Sequence, residues 1–162
     1  MNILFVNDSS ANANWGSRAT TSLLKFHIIK TGHRIPYSVP LRNLAQPTWG
    51  DSPRKQRFHA FFNRNRPSAK LPARLLDVLL NRSILLLPDV IPKRWKDFDH
   101  YARWLSQGRI LADIQQALSN TDLVFINGEG GIFANQRESR AMLFLAYTAK
   151  KYFHKPVVFA CH

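Results

Sequence analysis

A single cysteine, Cys161, stands in this chain of 162 residues, so no disulfide can close within it and nothing points to an oxidising compartment. Acid is scarce as well. Ten Asp and Glu face 23 Lys and Arg, for a formal charge of +13. Long apolar runs are missing: Ile84–Ile91 is broken by Pro88 and Asp89 and is too short to cross a bilayer. Met1-Asn2 leads straight into Ile3-Leu4-Phe5-Val6 without a basic leader, which speaks against a secretory signal. The expectation is a soluble cytoplasmic chain, with a peripheral place on a membrane left open. The phosphate and catalytic signatures G-x-G-x-x-G, G-x-x-x-x-G-K-[ST], G-x-S-x-G and H-E-x-x-H are all absent. His27, His33, His59, His100, His154 and His162 are scattered, with no pair at metal-ligand spacing, so neither a cofactor nor a metal is called for.

What is present suits a core of one domain, with 45% hydrophobic residues. Asn2–Val6 reads as a strand, Asn7–Gly16 as a polar loop, and Arg18–Lys30 as a helix with Ser17 at its N-cap and Gly32 at its stop. Arg34–Val39 reads as a second strand, held to an edge by Pro36. Leu71–Leu80 is a helical pattern and Ile84–Leu87 a short apolar segment. Phe98, Tyr101, Ala102, Leu105, Leu111, Ile114 and Leu118 share one helical face, weakened at Gly108. Leu123–Ile126 reads as a strand buried on both faces, Arg137–Phe153 as a largely buried helix, and Val157–Cys161 as a final strand after Pro156. The alternation predicts a three-layer α/β domain with a mostly parallel sheet.

Two loops leave strands at their carboxyl ends, where parallel sheets bind ligands. The first, beginning Asn7-Asp8 and closing on Asn14-Trp15-Gly16-Ser17-Arg18, is long for such a connection and rich in uncharged donors and acceptors. Trp15 reads as packing rather than contact. The second runs through Asn127, Gly128, Glu129, Gly130 and Gly131 to Asn135. Its glycines allow close approach of backbone to a ligand, and the helix start behind it offers free N–H groups to a phosphate or carboxylate. A tight turn serving geometry alone explains the glycines equally well. Glu129 is the one carboxylate placed by context, either orienting a sugar hydroxyl or acting as a base, with helix capping as the plainer role. Arg137 and Arg140, three residues apart in the following helix, form a fork for phosphate or carboxylate or else ordinary ion pairs.

The middle, from residue 40 to 72, is an irregular basic insertion. No acid occurs between Asp51 and Asp77, while Arg54, Lys55, Arg57, Arg64, Arg66, Lys70 and Arg74 interleave with Phe58, His59, Phe61 and Phe62. Such a mixture suits nucleic acid. A basic cover over an anionic-substrate cleft, or contact with an anionic membrane surface, is the favoured reading.

The segments V-N-D-S-S-A-N-A-N-W-G-S-R-A-T-T and D-L-V-F-I-N-G-E-G-G-I-F-A-N-Q-R-E-S-R together resemble the amino-terminal half of the polysaccharide pyruvyl transferase family. In that family an N-x-G-D loop follows the first strand and a G-x-G loop a later one. Ser17 stands here in place of the acid of N-x-G-D. The resemblance implies a Rossmann-like domain forming one half of a two-domain, glycosyltransferase-B-like fold. It implies transfer of a pyruvyl group from phosphoenolpyruvate to a saccharide acceptor of a cell-surface polysaccharide, forming a ketal. By the same resemblance the main donor-binding and acid/base residues belong to a second domain, so this chain is expected to be inactive alone and its loops to face the acceptor. An acceptor-binding half of a glycosyltransferase, and a non-catalytic basic domain for anionic glycan, lipid or nucleic acid, remain as alternatives.

Overall fold

The computed structural model describes residues 1–46, 49, 89–129 and 136–160. The expected helix at Leu71–Leu80, the segment Ile84–Leu87 and the basic stretch at 54–74 lie outside the described residues, as do Gly130, Gly131 and Asn135.

Ile3, Leu4, Phe5 and Val6 leave no position for a solvated side chain, and all four are buried in strand β1, Asn2–Asp8. It pairs in parallel with β2 (Arg34–Pro40) on one side and with β3 (Leu123–Asn127) on the other. Strand β4 (Val157–Ala160) adds to β3, also in parallel, giving the order β2-β1-β3-β4. As expected, β2 is an edge, and its register with β1 slips between the pairs Asn2/Arg34 and Leu4/Tyr37, where Pro36 has no N–H for the ladder. The chain first moves outward from β1 to β2, then returns to place β3 on the opposite flank. The strand order therefore reverses between β1 and β3.

Successive side chains of each strand serve opposite faces. Leu4, Val6, Val39, Val124 and Ile126 face the larger core cluster, shared with helices α2 (Leu41–Ala45), α3 (Phe98–Ser106), α4 (Ala112–Ser119) and α5 (Arg137–Tyr152). Ile3 and Phe5 face α1 (Trp15–Lys30), which contributes Ile28 and part of Leu24. Helices thus lie on both faces of the parallel sheet, but unequally. The α1 side is thin, so Leu123 and Phe125 are only half-buried, and the expected burial of β3 on both faces holds for one. Phe5 and Phe125 stack at 5.4 Å beneath α1.

On the thick side Phe98 meets Phe144 edge-on at 5.6 Å, and Trp95, in a short 3-10 turn, lies against Phe98 and Tyr147. Asp99 accepts from Tyr147, Tyr152 and Lys151 and so ties α3 to α5. The hydrogen bond from Lys151, with that from Tyr152, holds its carboxyl at about 2.

The long amphipathic pattern at 98–118 resolves into two helices because Gly108 takes φ +69°. Its N–H reaches the Leu105 carbonyl and the next N–H that of Trp104, the closing pair of a helix whose following residue turns left-handed. Gly32 ends α1 in the same way. The start of α1 differs from expectation. Asn14, not Ser17, is the N-cap: its Oδ1 accepts from the Gly16 N–H at 2.9 Å, and Trp15, Gly16 and Ser17 are already helical. Asn outcompetes Ser here because its carbonyl reaches the second N–H of the turn from an extended backbone.

Replacing Phe144 by Ala should destabilise the fold by about 3–5 kcal/mol, as expected for a large buried ring. Leu143→Ala, one residue away and 39% exposed, should cost less than about 1 kcal/mol in the same urea titration. Asn14→Ala should cost about 1 kcal/mol and Ser17→Ala close to nothing, reversing the order that the sequence pattern suggests.

Candidate functional site

Because β1 and β3 are adjacent and parallel, the two loops that follow them leave the same rim of the sheet side by side. Their first residues are bound to each other. Asn7, the penultimate residue of β1, has φ +65°, a left-handed conformation that Asn tolerates better than most residues. From there its Nδ2 donates to the carbonyls of Asn127 at 2.6 Å and Glu129 at 3.2 Å. Asn127 answers with its own Nδ2, donating to the Thr21 hydroxyl at 3.0 Å and to the Asn7 carbonyl at 3.5 Å. The Glu129 N–H closes a tight turn onto Asn127 Oδ1 at 3.2 Å. Asn7, Thr21 and Asn127 are all fully buried, so this bracket sits in a low-dielectric setting where each bond counts for more. Thr21 was not anticipated; its only signal is a polar residue on the face of α1 that also carries Leu24 and Ile28.

Two acceptors at the bracket are left over. Asn7 Oδ1 and Glu129 Oε2 are buried and meet no hydrogen-bond donor among the described residues. A buried acceptor without a donor costs about 1–3 kcal/mol, a cost relieved by any ligand that brings an O–H or N–H to it.

Beside the bracket Asp8 organises the neighbouring strands. Its carboxylate accepts from the Ser10 N–H and hydroxyl, the Ser38 hydroxyl on β2, and Lys25 of α1 at 2.9 Å. Burial pushes the Asp8 carboxyl up, but the hydrogen bonds from Ser10, Ser38 and Lys25 together outweigh it and hold the group at about 2, against an ordinary 3.8. Asp8 is therefore charged throughout the physiological range. It is engaged internally on every side, and Lys25 and Ser38 are further residues that sequence reasoning missed.

A cleft of about 590 Å³ opens beside the bracket, over the loop after β1 and the start of α2, and neither Asn7 nor Glu129 is among its lining residues. Asp8, Ser9, Ser10 and Asn12 form one wall, Arg42 of α2 a second, and Gln136 and Glu138 at the start of α5 a third. Asn14 faces the helix it caps, Gly16 lies within the first turn, Ser17 is half-buried beside it, and Arg18 is exposed. Trp15 does not fold back as packing; it is 75% exposed, since the helix begins before it and turns its ring outward. Gly128 continues the ladder, its N–H donating to the Ala160 carbonyl at 2.7 Å.

Arg137 is not half of an open anion fork. Its Nε and Nη2 grip the Asp89 carboxylate at 2.9 and 2.8 Å, while Nη1 donates to the carbonyls of Leu44 and Asn43. Both side chains of the pair are nearly buried. The guanidinium latches α5 to α2 and to the segment at Asp89, a use no local spacing could reveal because the partners lie 48 and 93 residues away. Arg140, in the same helix turn, is half-buried and engaged.

Asp8→Asn should lower stability at pH 6, and the difference from wild type should shrink as pH falls from about 4 to about 2. The depressed carboxyl stabilises the fold only while ionised, and the gap is on the order of 2 kcal/mol at neutral pH; urea midpoints across that range measure it. Arg137→Ala should cost about 3 kcal/mol by stranding the Asp89 carboxylate, and Arg137→Ala/Asp89→Ala should recover part of that loss.

The chain matches no protein-family model, no curated protein and no solved structure, which leaves the geometry of this rim to carry its functional reading.

Proposed function

We propose that the rim between β1 and β3 is the saccharide-binding wall of a polysaccharide pyruvyl transferase-like enzyme, in a Rossmann-like half that works against a second domain. The observation that carries this reading is the pair of buried acceptors, Asn7 Oδ1 and Glu129 Oε2, that meet no donor among the described residues, beside the cleft and at the point where the strand order reverses. Acceptors without donors call for a guest rich in hydroxyl groups. The serines, Asn12 and Glu138 around the cleft add to that demand, and Arg42 is its one lining cation among the described residues. The wall accordingly fits a sugar better than the triply anionic phosphoenolpyruvate. The committed state of Arg137 supports the same assignment.

In this scheme the acceptor places one hydroxyl against the Glu129 carboxylate, which draws off its proton as the oxygen attacks the second carbon of enolpyruvate. The methylene carbon takes up a proton from an acid on the facing domain. The second hydroxyl then adds to the same carbon as phosphate leaves, its proton passing to the departing phosphate, and the ketal closes. Asn7 holds the Glu129 main chain still during both steps. An acceptor wall also serves glycosyl transfer, and the product released tells the two apart.

The test is phosphate release from phosphoenolpyruvate with a saccharide carrying neighbouring free hydroxyls, by the protein in its full-length form. Glu129→Gln should lower turnover by a factor of about 100 or more while saccharide binding persists. Full turnover in that variant, or consumption of a nucleotide sugar instead of phosphoenolpyruvate, would refute the assignment.

A further inference from the structure

Helix α1 carries apolar residues on the side that faces away from the sheet. Trp15, Ala19, Phe26 and Ile29 fall on one stripe at helical spacing, with Leu23 beside it and Ser22 as its one polar member. Trp15 is 75% exposed, Leu23 and Phe26 57%, and Ile29 58%. The inward side is the more polar one, with Ser17, Thr20, Thr21 and Lys25 around Leu24 and Ile28. Four large apolar side chains exposed together on one helix form a patch rather than the single scattered residues that surfaces normally show.

Within α1, cations border it and acids do not. Arg18 and Lys30 are exposed along its edges, Lys30 Nζ lies 5.8 Å from the Phe26 ring, and no Asp or Glu occurs anywhere in α1. The chain behind it carries +13. We infer that this face of α1 docks on a bilayer rich in anionic lipid. Its aromatic and aliphatic side chains enter the boundary between headgroups and acyl chains, and Arg18 and Lys30 meet the lipid phosphates. A ridge on a single helix is convex, and a fluid interface takes up a convex apolar ridge without a matching groove. Trp15, Phe26 and Leu23 on the exposed face with Arg18 and Lys30 at its borders suit a helix lying in the membrane plane. No helix among the described residues is long and apolar enough to cross the bilayer, so the attachment is peripheral. It stands apart from the function proposed above and does not depend on it.

Vesicle flotation tests it, with equal parts phosphatidylglycerol and phosphatidylcholine against phosphatidylcholine alone. The protein should float with the anionic vesicles, and a blue shift in emission should appear that Trp15→Phe abolishes. Phe26→Ser/Ile29→Ser, whose sites are already exposed and whose circular dichroism should match wild type, should bind those vesicles on the order of tenfold or more weakly. Lys30→Gln should weaken binding and reduce its dependence on phosphatidylglycerol. Unchanged binding in the double serine variant would mean that charge elsewhere holds the lipid, and would overturn the inference. So would failure of the wild type to float, or conversion of a dimer to monomer by the same substitutions, which would assign the stripe to a second copy of the chain.

Discussion

The bracket between Asn7 and Asn127 is the constraint on which the rest of the rim depends. Two amides, each at the end of a buried parallel strand, spend their hydrogen-bonding capacity on one another's backbone and on Thr21. Loops at sheet ends ordinarily move independently. Here the loop after β1 and the loop after β3 begin from one rigid point, with the Glu129 carbonyl drawn into it. The price is a left-handed asparagine and one amide oxygen that meets no donor among the described residues. Features of this kind persist where the surrounding packing over-determines them, and they gather at sites that bind.

The packing that supports the bracket is lopsided. The face of the sheet under α3, α4 and α5 carries a deep core of aliphatic and aromatic side chains, closed by the Arg137–Asp89 latch and the ties around Asp99. The opposite face holds Ile3, Phe5 and Ile28 under one helix. The thick side supplies the rigidity that a site needs, and the thin side leaves α1 with an apolar outer surface. Asp8 then fastens the thin side, binding α1 through Lys25 and β2 through Ser38 with a carboxylate kept charged well below neutrality.

Arg137 shows how far local spacing misleads about a site. Placed a few residues beyond a glycine-rich loop and three before Arg140, it has the position of an anion ligand. In the folded chain its guanidinium is a bidentate clamp on Asp89 with two carbonyls in addition, a better-satisfied state than a solvent-facing fork. Trp15 misleads in the opposite direction. A tryptophan in a polar loop reads as a plug, but the cap at Asn14 starts the helix three residues earlier than expected and points the ring to the outside.

The order of strands and helices was written in the sequence, because apolar runs such as Ile3–Val6 and Leu123–Ile126 and the periodic faces of 98–118 and 137–153 are local properties of the chain. Pro36 marked an edge and Gly108 a break for equally local reasons: one lacks an N–H, and the other reaches positive φ without strain. That the loops after the first and third strands would share a rim followed from parallel pairing alone. What only the tertiary structure decided was the use of each polar side chain, namely Asn7 against Asn127, Asp8 against Lys25 and Ser38, and Arg137 against Asp89. Those partners lie 17 to 120 residues apart, and which of them meet depends on strand order and register. A hydrogen bond is satisfied by whatever group the fold brings within reach, and no pattern of neighbours along the chain records that.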